Sequence, residues 1–428
     1  MAEQDDHWGG PGEDYRLGRI TASGGGAARA VSDPPATGAP APGTAAPVWQ
    51  VPRRHRSVPW FEVVFISLGL LGVAALALRY VVVGGVANTL LMSVLALFPL
   101  LFVLALLHHI DRWEPEPIGP RLVVLLWGAG VATLAASIVN TAMLTNVAMV
   151  TGDYRSSMTV VSVFVAPFVE ECLKGIGVVL IILWRRTSIN SPLDGIVYAG
   201  YAGAGFAFVE NIQYFLEAGQ SGSTSFGAVV FMRGVLSPFV HPMATSFTGL
   251  ALAWAVVRMR SRWAWVWMGP LGWLVAAAVH GSWNLLASTA GMGWIGWYLA
   301  VEFPLFACWM TGLLLAARRE AATIARGLEP YVRTGWLLPA EVTMVVDRSA
   351  RRNARRWART GGRASARAMR TFQANAAGLG LDQVIMSRVG RQEDRVNHDR
   401  ALLEELGRAR GEFLRATRSA REQAGMTR

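Results

Sequence analysis

Charged residues stand in the middle of an apolar stretch that is long enough to cross a membrane. The stretch TVVSVFVAPFVEECLKGIGVVLIILW (159–184) carries Glu170, Glu171 and Lys174 near its centre. A helix needs about 20 residues to cross a bilayer, and a charged side chain at mid-membrane costs roughly 2.5–3.5 kcal/mol. We therefore expect these side chains to face the protein interior and to serve a function.

The spacing within this stretch predicts an ion pair. Glu170 and Lys174 are four residues apart and share a helix face, so the ammonium is expected to offset the Glu170 charge and to hold the glutamate pair. Glu171 lies about 100° further round the helix and is left for another partner. Lys174 is the only lysine among the 40 basic residues. Its presence indicates that a compact, flexible ammonium is required at this position.

Three later apolar spans also carry polar residues, in the segments FAFVEN, HPMATS and HGSWN. A single histidine or glutamate in such a helix is usually a packing residue that bonds to a neighbouring helix. Four such segments on consecutive spans instead indicate a shared site. The later three supply the candidate site residues Glu210, Asn211, His241, His280 and Asn284.

Helical rise places these groups in one layer of the membrane. At about 1.5 Å per residue, Glu170 lies roughly 16 Å from the start of its span, and Glu210 and His280 lie about 9 Å and 12 Å from the ends of theirs. His241 follows Pro238, where we expect the helix to break. Because consecutive spans alternate in direction, all these depths are measured from the same face. The sequence therefore predicts one water-reachable cavity.

The chemistry that suits such a cavity is activation of water. A carboxylate among like charges can act as a general base, while imidazole and amide groups stabilise an oxyanion. Alternatively, Glu210, His241 and His280 could bind zinc, with a second glutamate as the base. The spacing is not HExxH, so the local motif does not choose between these mechanisms.

In these motifs the chain resembles the PrsW-type intramembrane proteases, within the wider CAAX-prenyl-protease and bacteriocin-processing (Abi) superfamily. The resemblance covers about residues 60–317 and rests on EExxK, FxxxEN, HxxxTS and HxxxN in order. It implies a multi-helix glutamate protease or metalloprotease of the bacterial cytoplasmic membrane that cuts a membrane-anchored protein or peptide. The prenyl-protease branch usually has histidine at the position of Glu210. The residues that the resemblance assigns to the site are Glu170, Glu171, Glu210, His241, His280 and Asn284.

The composition agrees with an all-α polytopic membrane protein. Of the 428 residues, 53% are hydrophobic and 16% are charged, against about 25% charged in soluble domains. Cys172 and Cys308 lie in apolar spans and are expected to be unpaired thiols that act as small core residues. We predict eight spans, at Trp60–Val81, Val86–Leu107, Leu122–Leu144, Thr159–Trp184, Ile196–Leu216, Gly227–Val257, Trp265–Ser288 and Trp294–Ala317.

Three regions follow from this pattern. Residues 1–57 are Gly-, Ala- and Pro-rich and are predicted to be disordered, residues 58–317 form the membrane domain, and residues 318–428 form a basic helical or disordered tail. The tail holds 23 arginines against 12 acidic residues and so carries the whole net charge of +11. We expect it to lie on anionic lipid headgroups and expect no nucleic-acid partner. Arginines that cluster on one side of the spans place both termini in the cytoplasm.

These observations favour an intramembrane peptidase. Glu170 or Glu171 would polarise water, His241 and Glu210 would orient it or bind metal, and His280 with Asn284 would stabilise the oxyanion. A proton- or cation-coupled transporter is the alternative, because buried glutamates and histidines also form proton relays. No pair of spans looks like an inverted repeat, which disfavours a transporter. A non-catalytic membrane scaffold is a third interpretation, and the completeness of the four motifs disfavours it.

Overall fold

The fold is described by a computed structural model that covers residues 60–220, 222–289 and 293–426. All regular structure in these ranges is helical, which confirms the predicted all-α fold. The predicted disorder of residues 1–57 lies outside the described residues. The helices are α1 (Trp60–Gly84), α2 (Val86–Ile110), α3 (Ile118–Thr151), α4 (154–184), α5 (Pro192–Gln220), α6 (Ser223–Phe231), α7 (Val240–Arg258), α8 (Trp265–Thr289), α9 (Trp294–Arg333), α10 (Pro339–Val346), α11 (Arg348–Arg359), α12 (Gly362–Val389) and α13 (Glu393–Met426).

Seven of the eight predicted spans are continuous helices and the sixth is broken, and the helices extend past several predicted ends. Five stretches of the described chain are long and apolar enough to cross a membrane by length and composition: α1, α2, α3, α9 and the stretch Ser225–Arg258 that joins α6 to α7. The other three spans, α4, α5 and α8, are rich in charged, small or polar residues. These helices carry most of the candidate site, and its polar and charged side chains lower their mean hydropathy.

The predicted break in the sixth span is present. A π-helical turn, Met232–Leu236, ends at Ser237, whose backbone N–H donates to the Met232 carbonyl at 2.8 Å. Pro238 follows, and it has no N–H with which to continue a helix. The new helix α7 begins at Val240. The break therefore places His241 in the first turn of α7, at the edge of a cavity.

Helices α5 and α7 lie at the centre of the membrane domain and pack along each other. Their backbones approach closely because small residues face each other. A Cβ on Gly203 would lie 2.7 Å from the His241 carbonyl carbon, closer than real Cβ atoms come to other heavy atoms. Gly203 therefore fixes how near His241 comes to the residues of α5.

The outer helices present their apolar side chains to the lipid. Large side chains such as Leu71 on α1 and Phe98 on α2 are exposed, as expected for helices that face lipid. Cys172 and Cys308 are unpaired, as predicted, but both are exposed, so their assignment to the core was wrong. Cys172 follows Glu171 by one residue, which turns its side chain about 100° away from the buried face of α4.

The segment after residue 317 is folded rather than a tail over its described residues. Helix α9 continues through the predicted boundary to Arg333, and α10 to α13 pack around it. Their core contains Ile324, Leu328, Phe372 and Phe413, all buried. Most of the arginines of this segment are exposed, so the composition concealed the core.

One buried arginine joins this helical segment to the membrane domain. Arg395 on α13 forms an ion pair with Asp382 on α12. It also donates to the Ile189 carbonyl at 2.8 Å and to Asn190 Oδ1 at 3.0 Å, in the loop between α4 and α5. Arg395 is 1% exposed. It thus fixes the helical segment to the loop that follows the charged helix α4.

The close approach of α5 and α7 gives a test of the fold. We expect Gly203→Ala to lower the melting temperature of the detergent-solubilised protein, because overpacking costs about 1–3 kcal/mol and outweighs the helix propensity gained. The matched control is Gly219→Ala on the same helix, where the nearest atom to the new Cβ is Met92 Cε at 3.9 Å. Equal melting temperatures for the two variants would contradict the packing described here.

Candidate active site

Helices α3, α5, α7 and α8 assemble the site around α4, together with the π-helical turn Met232–Leu236. Glu170 and Glu171 are adjacent in sequence but turn to different surroundings. Glu171 and Lys174 are fully enclosed between helices, whereas Glu170 lines a cavity of about 60 Å³. A water needs roughly 10–15 Å³ of such space, so the cavity has room for several water molecules.

Glu171 is the most heavily bonded carboxylate of the site. Its Oε1 accepts a hydrogen bond from the Lys174 ammonium at 2.5 Å and lies 2.9 Å from His280 Nδ1. Its Oε2 accepts a hydrogen bond from the Thr245 hydroxyl at 2.7 Å. Glu171 therefore ties together α4, α7 and α8. It does not line the cavity.

The predicted pairing of Lys174 with Glu170 is corrected by this geometry. Lys174 bonds to Glu171, three residues before it, and its Nζ lies 3.1 Å from His241 Nδ1 and 4.3 Å from the centre of the Phe206 ring. The reason is that the ammonium lies on the side of α4 where Glu171, His241 and the Phe206 ring surround it. Glu170 instead accepts a hydrogen bond from Asn140 on α3 at 3.1 Å.

His241 is held from both sides. An ammonium can only donate, so Lys174 donates to Nδ1 and the ring proton lies on Nε2. His241 Nε2 then donates to Glu210 Oε2 at 2.8 Å. The same Glu210 oxygen accepts from the Arg233 guanidinium, which also donates to Asn211 Oδ1 at 2.7 Å. The candidate residues on α5 and α7 are thus linked through an arginine.

His280 presents a free nitrogen to the cavity. With the proton on Nδ1 directed at Glu171, Nε2 keeps its lone pair and lies 3.8 Å from Glu170 Oε2. Glu170 Oε2 is buried and has no hydrogen-bond partner among the described residues. Two atoms that can ligate a metal, His280 Nε2 and Glu170 Oε2, therefore face each other.

The metal-binding group differs in one member from the predicted set. Ligand atoms of Glu170, His241 and His280 all lie within 4.8 Å of one another, and all three residues are buried. Glu210, named in the sequence analysis, instead bonds to Arg233 and His241. The unpartnered Glu170 oxygen and the mixed N/O donors fit a divalent ion such as zinc, so the residues present are compatible with a metal.

The remaining candidate, Asn284, also lines the cavity. Its amide donates to the Ser162 carbonyl at 2.8 Å, so it connects α8 to the π-helical turn that precedes Glu170. All eight candidate residues therefore lie in or directly around one site.

Two functional neighbours were missed by sequence reasoning. Asn140 and Arg233 both contact a site carboxylate. An arginine inside an apolar span, 23 residues after Glu210, was the signal that could have assigned Arg233 to the site.

Comparison with known proteins agrees with the motifs. Residues 116–309 match the PrsW family intramembrane metalloprotease. All the site residues fall within that range. The chain is similar to Protease PrsW of Clostridioides difficile (strain 630), with 28% identity over 149 residues, and to Protease PrsW of Bacillus subtilis (strain 168), with 27% identity over 167 residues. The comparisons support the PrsW family and do not favour a transporter.

The similarity covers part of each protein. The aligned residues make up 35% and 38% of this chain, and they span 59% of the Clostridioides difficile relative and 69% of the Bacillus subtilis relative. No solved structure matches the chain significantly. The helical segment after residue 317 lies outside the matched family range.

The buried ion pair yields a stability test. We expect Lys174→Met to destabilise the protein by about 3–5 kcal/mol, because Glu171 is left as an uncompensated buried charge. Thermal unfolding in detergent measures the effect. The double variant Lys174→Met/Glu171→Gln removes both charges and should recover part of the loss, which gives the coupling energy of the pair. A single variant with wild-type stability would show that the pair contributes nothing.

Proposed function

We propose that this chain is a PrsW-type intramembrane peptidase, within the wider CAAX-prenyl-protease and Abi superfamily, that hydrolyses a peptide bond of a membrane-anchored protein. The observation that carries the proposal is the cavity in which Glu170, His241 and His280 converge, with an unpartnered carboxylate oxygen on Glu170. A buried charge of this kind is costly unless a ligand completes it. The family match over the same residues supports the assignment.

The donor atoms favour zinc as the cofactor. Glu170, His241 and His280 would hold it, and when bound it would lower the pKa of water and polarise the substrate carbonyl. Glu171 then orients His280 through Nδ1, the arrangement in which a carboxylate fixes a metal-ligating histidine. Ligation by His241 requires one of its two hydrogen bonds, to Lys174 or to Glu210, to be exchanged.

Glu210 is the proposed general base. Its carboxylate lines the cavity and is held in place by Arg233 and His241. It takes a proton from water as the oxygen attacks the carbonyl carbon, and it returns that proton to the leaving amine as the C–N bond breaks. Arg233 and Asn284 line the same cavity and supply donors to the developing oxyanion.

The amount of bound zinc in purified variants distinguishes the proposed metal ligands from the proposed general base. We expect Glu170→Gln and His280→Ala to lose both bound zinc and cleavage of single-span peptides, because each removes a ligand. Glu210→Gln should keep its zinc and lose about 100-fold or more in cleavage rate, because only proton transfer is removed. Elemental analysis of purified protein and peptide cleavage, followed by mass spectrometry, measure the two effects.

Glu171→Gln is a graded companion to these variants. It should keep the fold and lose roughly 10–100-fold in zinc affinity, the usual cost of removing the partner of a ligating histidine. Zinc loss in Glu210→Gln with retention in Glu170→Gln would reverse the ligand assignment. Absence of cleavage by zinc-loaded wild-type protein on every peptide would refute the peptidase assignment.

The membrane orientation is a separate proposal. We place the protein in a bacterial cytoplasmic membrane with eight spans, both termini inside, and the site in the outer half. The arginines of the α4–α5 and α7–α8 loops and of the segment after α9 support this orientation. Exposed arginines on α11, such as Arg352 and Arg356, would then lie on the cytoplasmic side, where anionic headgroups attract them.

Cysteine labelling tests the orientation. In a background with Cys172 and Cys308 replaced by serine, single cysteines at Tyr154 and Gln220 should react with a membrane-impermeant maleimide in intact cells. Cysteines at Ser188, Arg260 and Arg359 should react only after the cells are opened, because they lie inside. The reversed labelling pattern would contradict both the orientation and the placement of the site in the outer half.

A further inference from the structure

One buried carboxylate outside the site has no role in the mechanism proposed above. Glu302 lies in the π-helical turn Tyr298–Glu302 of α9 and is 4% exposed. Its Oε1 has no hydrogen-bond partner among the described residues, and no cation of the described chain forms an ion pair with it. Intramembrane carboxylates are costly and are kept where they bind something.

Glu302 lines a second, smaller cavity that adjoins the active site. This cavity has a volume of about 20 Å³. It shares three wall residues with the first cavity, namely Ser237, Val240 and Trp283. A group that occupies it would therefore sit next to a peptide held against His241 and Glu170.

The remaining walls of the second cavity are largely aromatic. Phe239 and Phe306 stack with ring centres 4.7 Å apart, and Tyr298 completes the enclosure. The Tyr298 hydroxyl donates to the Leu236 carbonyl at 2.9 Å, which fixes its ring. Aromatic faces attract cations, and a carboxylate among them adds the countercharge that a cation needs when it leaves water.

The size of the cavity limits the cation. A volume of about 20 Å³ corresponds to one or two water-sized groups. A compact ammonium fits this space, whereas the wide planar fork of a guanidinium does not. The chemistry of the walls and their volume therefore select a primary ammonium group.

We propose that the Glu302 cavity is a substrate subsite that receives the ammonium of a lysine side chain next to the scissile bond. The inference rests on the proposed peptidase function, because it is the shared wall with the active site that makes the occupant part of a substrate. Glu302 is then a specificity-determining residue. It pairs with the substrate ammonium, which Phe239, Phe306 and Tyr298 enclose.

The test compares matched single-span peptides in which a lysine is moved one position at a time along the sequence. At each position a second peptide carries methionine, which has a similar length and no charge. We expect the wild-type protein to cleave the lysine peptide about tenfold more efficiently, in kcat/KM, at one position beside the cleaved bond. Glu302→Gln should abolish that preference, so that the lysine and methionine peptides are cleaved with equal kcat/KM.

The matched control is Glu62→Gln, which removes a glutamate of α1 that lines neither cavity. It should keep the lysine preference. Charge reversal gives a second variant: Glu302→Lys should favour a peptide with glutamate at the same position. Equal cleavage of lysine and methionine peptides by the wild type, or a preference that survives in Glu302→Gln, would overturn the subsite.

A binding measurement separates this inference from the peptidase function. Fluorescence anisotropy of labelled lysine and methionine peptides, with Glu170→Gln protein in nanodiscs, reports occupancy without cleavage. Tighter binding of the lysine peptide that depends on Glu302 supports the subsite even if no peptide is cut. Cleavage of both peptides with equal binding refutes the subsite and leaves the peptidase function intact.

Discussion

The buried carboxylate of Glu171 is the interaction on which the site depends. It lies at 0% exposure and receives hydrogen bonds from α4, α7 and α8. A single unpaired charge in such a place would be strongly destabilising, so Lys174, Thr245 and His280 must be in position whenever the helices are packed. The same bonds direct His280 Nε2 and His241 toward the cavity. Stability of the helix core and orientation of the reactive groups therefore have one origin.

The packing of α5 against α7 sets the scale of the cavity. Gly203 allows the two backbones to approach closely. Because the chain breaks at Pro238, α7 begins at Val240 and places His241 beside Glu210. The cavity is small because the helices around it are close, and its walls are polar because four of these helices contribute charged or amide side chains. A close-packed interior transmits small displacements, so a methyl group added at Gly203 would displace His241.

The helices after residue 317 give the membrane domain a rigid base. Arg395 binds carbonyl oxygens of the loop that joins α4 to α5, and Trp113 Nε1 donates to the Ala317 carbonyl at 2.9 Å. Burial and the nearby Asp382 raise the pKa of Asp399 on α13, in the same helical segment. The loop after the charged helix is thus held by groups that do not line the cavity.

The sequence by itself determined the helical fold and most of the residues that meet at the candidate site. Charged residues in apolar spans are costly, so Glu170, Glu171, Lys174 and His280 could be recognised without coordinates. Periodicity and helical rise also placed them at one depth. The same cost argument would have singled out Glu302, but it lay on a span that carried no other polar motif.

Only the tertiary structure decided which partner each group takes. Lys174 pairs with Glu171 rather than Glu170, and Glu170 rather than Glu210 joins the two histidines, because neighbouring helices supply partners from directions that one helix cannot specify. Arg233 and Asn140 enter the site for the same reason. The region after residue 317 gives a second example. Its composition shows only that it is rich in arginine. The core around Phe372 forms because apolar residues that are far apart in sequence meet in the folded chain.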